Sequence, residues 1–181
     1  MKQLFVLRHG HCESNIDKVM NFDPSLKNSL TSLGIMQSRA TLANLSKMAF
    51  DVIYSSEFPR AIETARIVNE AHNLELKIDS RLNENRRGFE GKKSSFWKEK
   101  MKNSNYDFTK RFDGGESFNE MFLRIKDFID EIKELNYENI LIVSHSDPIK
   151  AIEGYFNNYS LREIYDRKSL ANCEYLEFAL D

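Results

Sequence analysis

The segment Leu4-Phe5-Val6-Leu7 is apolar at every position and stops at Arg8-His9-Gly10. A strand that is apolar on both faces must be covered on both faces, as in a parallel sheet between helices. In open sheets of that kind, ligands bind beyond the carboxyl ends of the strands. The chain therefore sets a guanidinium and an imidazole at a binding edge. Arginine matches phosphate with a two-pronged fork, and imidazole can act as a nucleophile. Phosphoryl chemistry on a histidine is the expectation.

The remaining pattern extends this architecture. Residues 2–8 predict a strand, and residues 31–48 a helix with Leu33, Met36, Ala40 and Ala43 near one face. A second strand spans 51–54. A helix follows, N-capped by Ser56 with Pro59 in its first turn, and runs to about His72. Residues 74–78 predict a third strand, whereas 81–115 are irregular in pattern. Phe118, Met121, Phe122, Ile125, Phe128, Ile129 and Ile132 form a helical stripe that reads as core. Residues 139–143 predict a central strand. Asp147 as N-cap and Pro148 at the first helical position start a helix to about Phe156. Residues 174–179 predict a last strand. Strands alternating with helices specify an α/β fold, a three-layer α/β/α sandwich with a mostly parallel central sheet. One domain over residues 1–181 is expected, with a lid-like insertion around 85–115.

Bulk properties exclude several classes. A chain that is 41% hydrophobic and 30% charged is globular rather than disordered. A net charge of −2 argues against general nucleic-acid binding. No apolar run reaches the ~18 residues of a membrane span, and no export signal is expected, because Arg8 and His9 stand where one would need a continuous apolar stretch. Cys12 and Cys173, the only cysteines, have no metal-ligand or redox spacing. A reduced, cytoplasmic compartment is expected.

Three predicted strand ends carry related chemistry: Arg8-His9-Gly10, Ser55-Ser56 leading to Arg60, and Ser144-His145-Ser146. If these strands are neighbours, two arginines and two histidines converge. The free amides at the helix start after His145 add an anion site. Two guanidinium groups can neutralise a phosphate dianion, and no carboxylate cluster points to a metal in that role.

Several motifs in order carry a family resemblance. They are Arg8-His9-Gly10 with Asn15, Leu30-Thr31-Ser32-Leu33-Gly34 through Gln37, and Tyr54-Ser55-Ser56 through Arg60-Ala61 and Thr64-Ala65. Leu82-Asn83-Glu84 with Gly88-Phe89-Glu90-Gly91, Gly114-Gly115-Glu116-Ser117, and Val143-Ser144-His145 follow. Together they resemble the histidine phosphatase superfamily, the phosphoglycerate mutase-like fold, in its branch with an acid-bearing glutamate loop. The resemblance implies that His9 is the nucleophile that becomes phosphohistidine and that Glu84 is the general acid and base. It implies that Arg8, Asn15, Arg60, His145 and Ser146 hold the phosphoryl group, with no metal and no cofactor. The substrate implied is a small phosphate ester such as a sugar phosphate, phosphoglycerate or nucleotide-like ester, hydrolysed by a monomer or homodimer. No nucleic-acid or membrane partner is expected.

The chain departs from the family where His11 and Cys12 follow the glycine, which is expected to alter the pocket wall. Proximity to Arg8 and a histidine could lower the Cys12 pKa and sensitise it to oxidation, which the sequence does not decide. Residues 21–26 match poorly the mutase segment that binds a substrate carboxylate, which favours hydrolysis. A mutase-type phosphotransferase and a non-catalytic protein that binds a phosphorylated ligand are the alternatives. Residues 85–113 carry nine cations against four anions, a net +5, leaving −7 on the rest. Arg86 and Arg87 are the candidate substrate contacts there. A basic lid would steer anionic substrates, while Phe89, Phe96, Trp97 and Tyr106 either meet the leaving group or pack the lid.

Overall fold

Each interior strand sends alternate side chains to opposite layers, and this sorts the core into two halves. In the computed structural model, which describes residues 2–180, β1 (Gln3–Arg8) turns Leu4 and Val6 to one face and Phe5 and Leu7 to the other. Among the described residues five strands form one sheet: β1, β2 (Val52–Ser55), β3 (Leu76–Ile78), β4 (Asn139–Ser144) and β5 (Tyr175–Ala179). Their spatial order is β3-β2-β4-β1-β5. All neighbours are parallel except β5, which runs antiparallel on β1. The apolar 139–143 run is thus central, between β2 and β1.

The first face is covered by α5 (Phe118–Glu134) and α6 (Ser146–Asn157). The stripe Phe118, Met121, Ile125, Phe128, Ile129 and Ile132 is buried there as expected, with Phe122 partly buried. Ser117 caps α5, accepting from Glu120 N at 3.1 Å. The second face is covered by α2 (Ser32–Leu45) and α3 (Pro59–Asn69). Helices on both sides of a mostly parallel sheet complete the α/β/α sandwich. No helix among the described residues is long and apolar enough to cross a membrane.

Four local expectations are corrected. The buried face of α2 is Gly34, Ser38, Thr41 and Leu45, not the one carrying Leu33 and Met36, which are 49% and 67% exposed. Close backbone approach selects this face: a Cβ on Gly34 would lie 2.0 Å from the His11 carbonyl oxygen. Ser56 does not cap α3. The N-cap position is Phe58, with Pro59 first in the helix, and the Ser56 hydroxyl bonds instead to His145. Asp147 is the second residue of α6 and His145 occupies the N-cap position, because extended backbone ends at His145, whose carbonyl accepts from Ile149 N at 3.1 Å. Finally, the irregular 81–115 stretch contains a 3₁₀ turn (Ser80–Leu82) at its start and a helix, α4 (Ser94–Asn103). Only Trp97 and Met101 of α4 are buried, too short a stripe to signal a helix. Two further short helices, α1 (Glu13–Asp17) and α7 (Leu161–Asp166), flank the site.

Candidate active site

The ends of β1, β2 and β4 lie side by side, so Arg8-His9, Ser55-Ser56 and Ser144-His145 converge. A cavity of about 1020 Å³ opens above them, lined by Arg8, His9, Asn15, Arg60, Glu84 and Ser146 among others.

His9 is 4% exposed. Its Nδ1 lies 2.7 Å from the Gly10 carbonyl oxygen, an acceptor only, so Nδ1 carries the proton and Nε2 keeps its lone pair. Arg60 Nε donates to that Nε2 at 3.3 Å. Burial pushes the His9 pKa well below the ordinary imidazole value, and the nearby charges of Arg60 and Arg8 push it further. The ring is therefore neutral at physiological pH, with one nitrogen bare.

The supporting contacts explain the motif spacings. The Gly10 amide donates to Thr64 Oγ1 at 3.0 Å, and Thr64, one turn after Arg60, donates to the Arg60 carbonyl at 2.7 Å. Gly10 has no room for a side chain, since a Cβ would lie 2.7 Å from the Gly34 carbonyl oxygen. Thr31 caps α2 at Gly34 N (3.2 Å), and Gln37 accepts from His11 N at 2.9 Å. Asn172, which sequence reasoning missed, donates from Nδ2 to the His9 carbonyl at 2.9 Å.

Arg60 is 3% exposed. Its fork donates to Asn21 Oδ1 at 2.7 Å and to the Asn21 carbonyl at 3.3 Å, and it lies 4.3 Å over the Phe58 ring. Arg8 Nη1 bonds the Leu170 carbonyl, and its Nε is buried without a partner. Among the described residues no carboxylate forms a salt bridge with either guanidinium. Charge left uncompensated out of water is costly, so the buried Arg60 and half-buried Arg8 make a pair that could accept an anion. Asn15 spends its Oδ1 on Cys12 N at 3.0 Å, and its Nδ2 has no partner among the described residues.

His145 is fully buried, with its ring centroid 5.0 Å from that of His9. Its Nε2 shares a 2.7 Å hydrogen bond with Ser56 Oγ, and its Nδ1 has no partner. If Ser56 donates, Nδ1 carries a hydrogen and is a spare donor. Burial first, then Arg60, His9 and Arg8, pushes its pKa well below the ordinary value.

Glu84 sits on a clamped loop. Arg124 donates to the Asn83 and Glu84 carbonyls at 2.8 and 3.3 Å and is held by Glu116 at 2.7 Å. Ser144 Oγ donates to the Leu82 carbonyl at 2.7 Å, tying the loop to the end of β4. Glu84 Oε1 accepts from Asn85 N at 2.9 Å and from Asp147 N at 3.3 Å, leaving Oε2 free. Burial raises its pKa, and the Asp147 carboxylate raises it further against the pull of Arg87. Burial alone would raise Asp147 too, but Arg87 and then Lys150 hold it below the usual carboxylate range. The two neighbouring carboxyls are thus driven apart, Glu84 toward its protonated form and Asp147 toward its ionised form.

Not every candidate reaches this cavity. Arg86 lines a separate depression of about 690 Å³ on the other side of Glu84. His11 and Cys12 do not line the main cavity. The His11 ring bonds Thr31 Oγ1 at 2.9 Å, and Cys12 is fully buried, which removes the exposed thiol that oxidation would need. Arg87 does line it, bound to Asp147. Trp97 and Tyr106 pack in the apolar group around α4 and also line the cavity, with the Tyr165 ring edge-on to Tyr106 at 5.8 Å. Among the described residues no group of three or more His, Cys, Asp or Glu could hold a metal ion.

Comparison with known proteins gives the family. Phosphoserine phosphatase 1 of Hydrogenobacter thermophilus is 30% identical over 161 residues, covering 84% of this chain and 74% of that protein. The 2,3-bisphosphoglycerate-dependent phosphoglycerate mutase of Thermoplasma acidophilum is 28% identical over 167 residues, covering 91% and 81%. The fold superposes on a mycobacterial glucosyl-3-phosphoglycerate phosphatase with a TM-score of 0.84 at 23% identity, over 99% of this chain and 91% of that one. The family profile of histidine phosphatase superfamily branch 1 matches residues 4–181. The chain belongs to the histidine phosphatase superfamily.

Proposed function

We propose that the protein is a metal-independent phosphomonoesterase that hydrolyses a small phosphorylated metabolite through a phosphohistidine on His9. The observation that carries this reading is the unprotonated Nε2 of His9, which meets Arg60 Nε at 3.3 Å beside a guanidinium pair that no carboxylate bridges among the described residues. His9 Nε2 attacks phosphorus as the ester P–O bond breaks. Arg8, Arg60, the Asn15 amide and the spare donor of His145 take the phosphoryl oxygens, with Ser146 at the rim. Preorganised donors of this kind supply much of the transition-state stabilisation. The departing alkoxide takes a proton from Glu84, whose raised pKa suits it to be an acid, and the arriving phosphate dianion favours that form further. Glu84, now a carboxylate, draws a proton from water. The hydroxide attacks phosphorus, breaks the P–N bond and frees phosphate and His9. The segment around α4 acts as the lid.

The test is release of inorganic phosphate from p-nitrophenyl phosphate in EDTA. Undiminished turnover in EDTA is expected, and loss of turnover that a divalent metal restores would refute metal independence. The likeness to a phosphoglycerate mutase favours a second reading, transfer instead of hydrolysis. Phosphate delivered to an added phosphoglycerate rather than to water would establish it.

A further inference from the structure

The basic composition of residues 85–113 is not uniform in purpose. Arg111 pairs with Glu120, Arg87 with Asp147, and Lys100 and Lys110 lie over the rings of Phe96 and Phe112. The Lys98 and Lys102 side chains have no hydrogen bond, ion pair or ring partner among the described residues, and both line the cavity that holds His9. They stand one turn apart on α4, with heads able to meet one ligand, since such positions are about 6 Å apart at Cβ. Two lysines from distant parts of the chain join them on the lining: Lys18 after α1 and Lys168 after α7. Both are exposed and likewise without a partner. On the lining, Asp147 is taken by Arg87 and Asp166 by Arg162. The other two carboxylates on the lining, Glu84 and Glu99, form no ion pair among the described residues, and Glu99 stands on α4 with Lys98 and Lys102. A solvated basic surface would follow the composition of a single segment. Here four uncommitted lysines from three segments line one cavity, on elements other than those that carry Arg8, His9 and Arg60. A cavity of about 1020 Å³ also lies at the upper end of ordinary ligand pockets, so it has room for more than one phosphoryl group.

We propose that Lys98, Lys102 and Lys168, with Lys18 at the rim, receive a second anionic group of the ligand, a phosphate or carboxylate separated from the group bound at Arg8 and Arg60. As a statement about substrate this rests on the phosphatase reading; as a statement about binding it stands alone. Lysine suits the role as a point charge that needs no fixed approach angle, and the cluster raises the local concentration of anions.

The test is calorimetric binding of alkylphosphonates to the wild-type protein, which needs no turnover. The probes are α,ω-alkane bisphosphonates from propane to decane, the matching ω-phosphonocarboxylic acids and the matching simple alkylphosphonates. At one chain length the bisphosphonate is expected to bind about tenfold more tightly than the simple phosphonate, from three partly exposed charge contacts. The ratio should shrink with added salt. An equal gain with the phosphonocarboxylic acids assigns a carboxylate as the second group, and a gain confined to bisphosphonates assigns a phosphate. The Lys98→Gln/Lys102→Gln/Lys168→Gln variant should bring the ratio near one. Lys92→Gln/Lys93→Gln/Lys110→Gln, which removes equal charge away from the cavity, should preserve it. A ratio below twofold at every length, or one lost equally in both variants, overturns the proposal. Turnover of p-nitrophenyl phosphate separates the two readings. Turnover without a preference removes the lysine subsite alone, and a preference without turnover removes the phosphatase reading alone.

Discussion

On the floor of the cavity most polar atoms have a fixed partner, whereas the α4 wall is held by rings. Gly10 is pinned to Thr64, Arg60 to Asn21, and His9 to its own neighbour and to Asn172. Trp97 instead packs edge-on against Phe112 at 5.3 Å, within an apolar group that includes Met20, Phe22 and Met101. Hydrogen bonds fix direction, and packed rings fix only proximity. On the proposed mechanism, chemistry that needs an aligned lone pair therefore falls to the floor, and contacts that adapt to a substrate body fall to the wall.

Substitutions separate the two regions. His9→Ala should lower kcat at least about 10⁴-fold in phosphate-release assays, since no other nucleophile is aligned. Near-normal turnover would collapse the distinction at once. Glu84→Gln should cost about 10²–10⁴-fold on an alkyl phosphate, whereas the initial burst of p-nitrophenol from p-nitrophenyl phosphate, whose leaving group departs without a proton, should be far less slowed. In the wild-type protein kcat/KM for alkyl esters should fall on the acid side as His9 protonates, well below pH 6.5. It should fall on the alkaline side as Glu84 ionises, above the ordinary carboxyl range. Glutamine at 84 should remove that alkaline limb in a pH–rate profile.

Trp97→Ala should cost about 3–5 kcal/mol in urea unfolding, while the surviving folded fraction keeps a phosphorylated His9 and shows its defect in KM. A defect confined to kcat would place the α4 wall in the chemistry instead. Thr64→Val should cost about 1–3 kcal/mol, because it strands the buried Gly10 amide. Its defect should appear in kcat. Met36→Gln, on the exposed side of α2, should change stability by less than about 0.5 kcal/mol.

That last contrast also marks what the sequence made legible. The α5 stripe and the unbroken apolar runs of β1 and β4 are hydrophobic signals, and burial follows them. The buried face of α2 instead follows backbone proximity and hydroxyls. Ser38 donates to the Gly34 carbonyl at 2.8 Å and Thr41 to the Cys173 carbonyl at 3.0 Å, so Leu33 and Met36 face outward. A hydrophobic count cannot see that choice. Arg8, His9, Asn15, Arg60, Glu84 and Ser146 were readable as motif positions, and they share one cavity, with His145 buried against His9. Asn21, Asn172 and Asp147 were not readable as partners, because each acts by a hydrogen bond or charge between residues far apart in the chain. Arg86 and Arg87 are adjacent in sequence yet serve different depressions, a division set by the fold of the loop.

The central claim is that His9 is the group that carries the phosphoryl. Rapid acid-free quenching of the Glu84→Gln protein with p-nitrophenyl phosphate, followed by peptide mass analysis, tests it directly. Phosphorylation by this good leaving group should outrun hydrolysis once Glu84 can no longer activate water. One phosphoryl group, labile in acid and stable in base, should then accumulate on the peptide that contains His9. Continued phosphate release with the label absent from His9, or found on any other residue, would contradict the account.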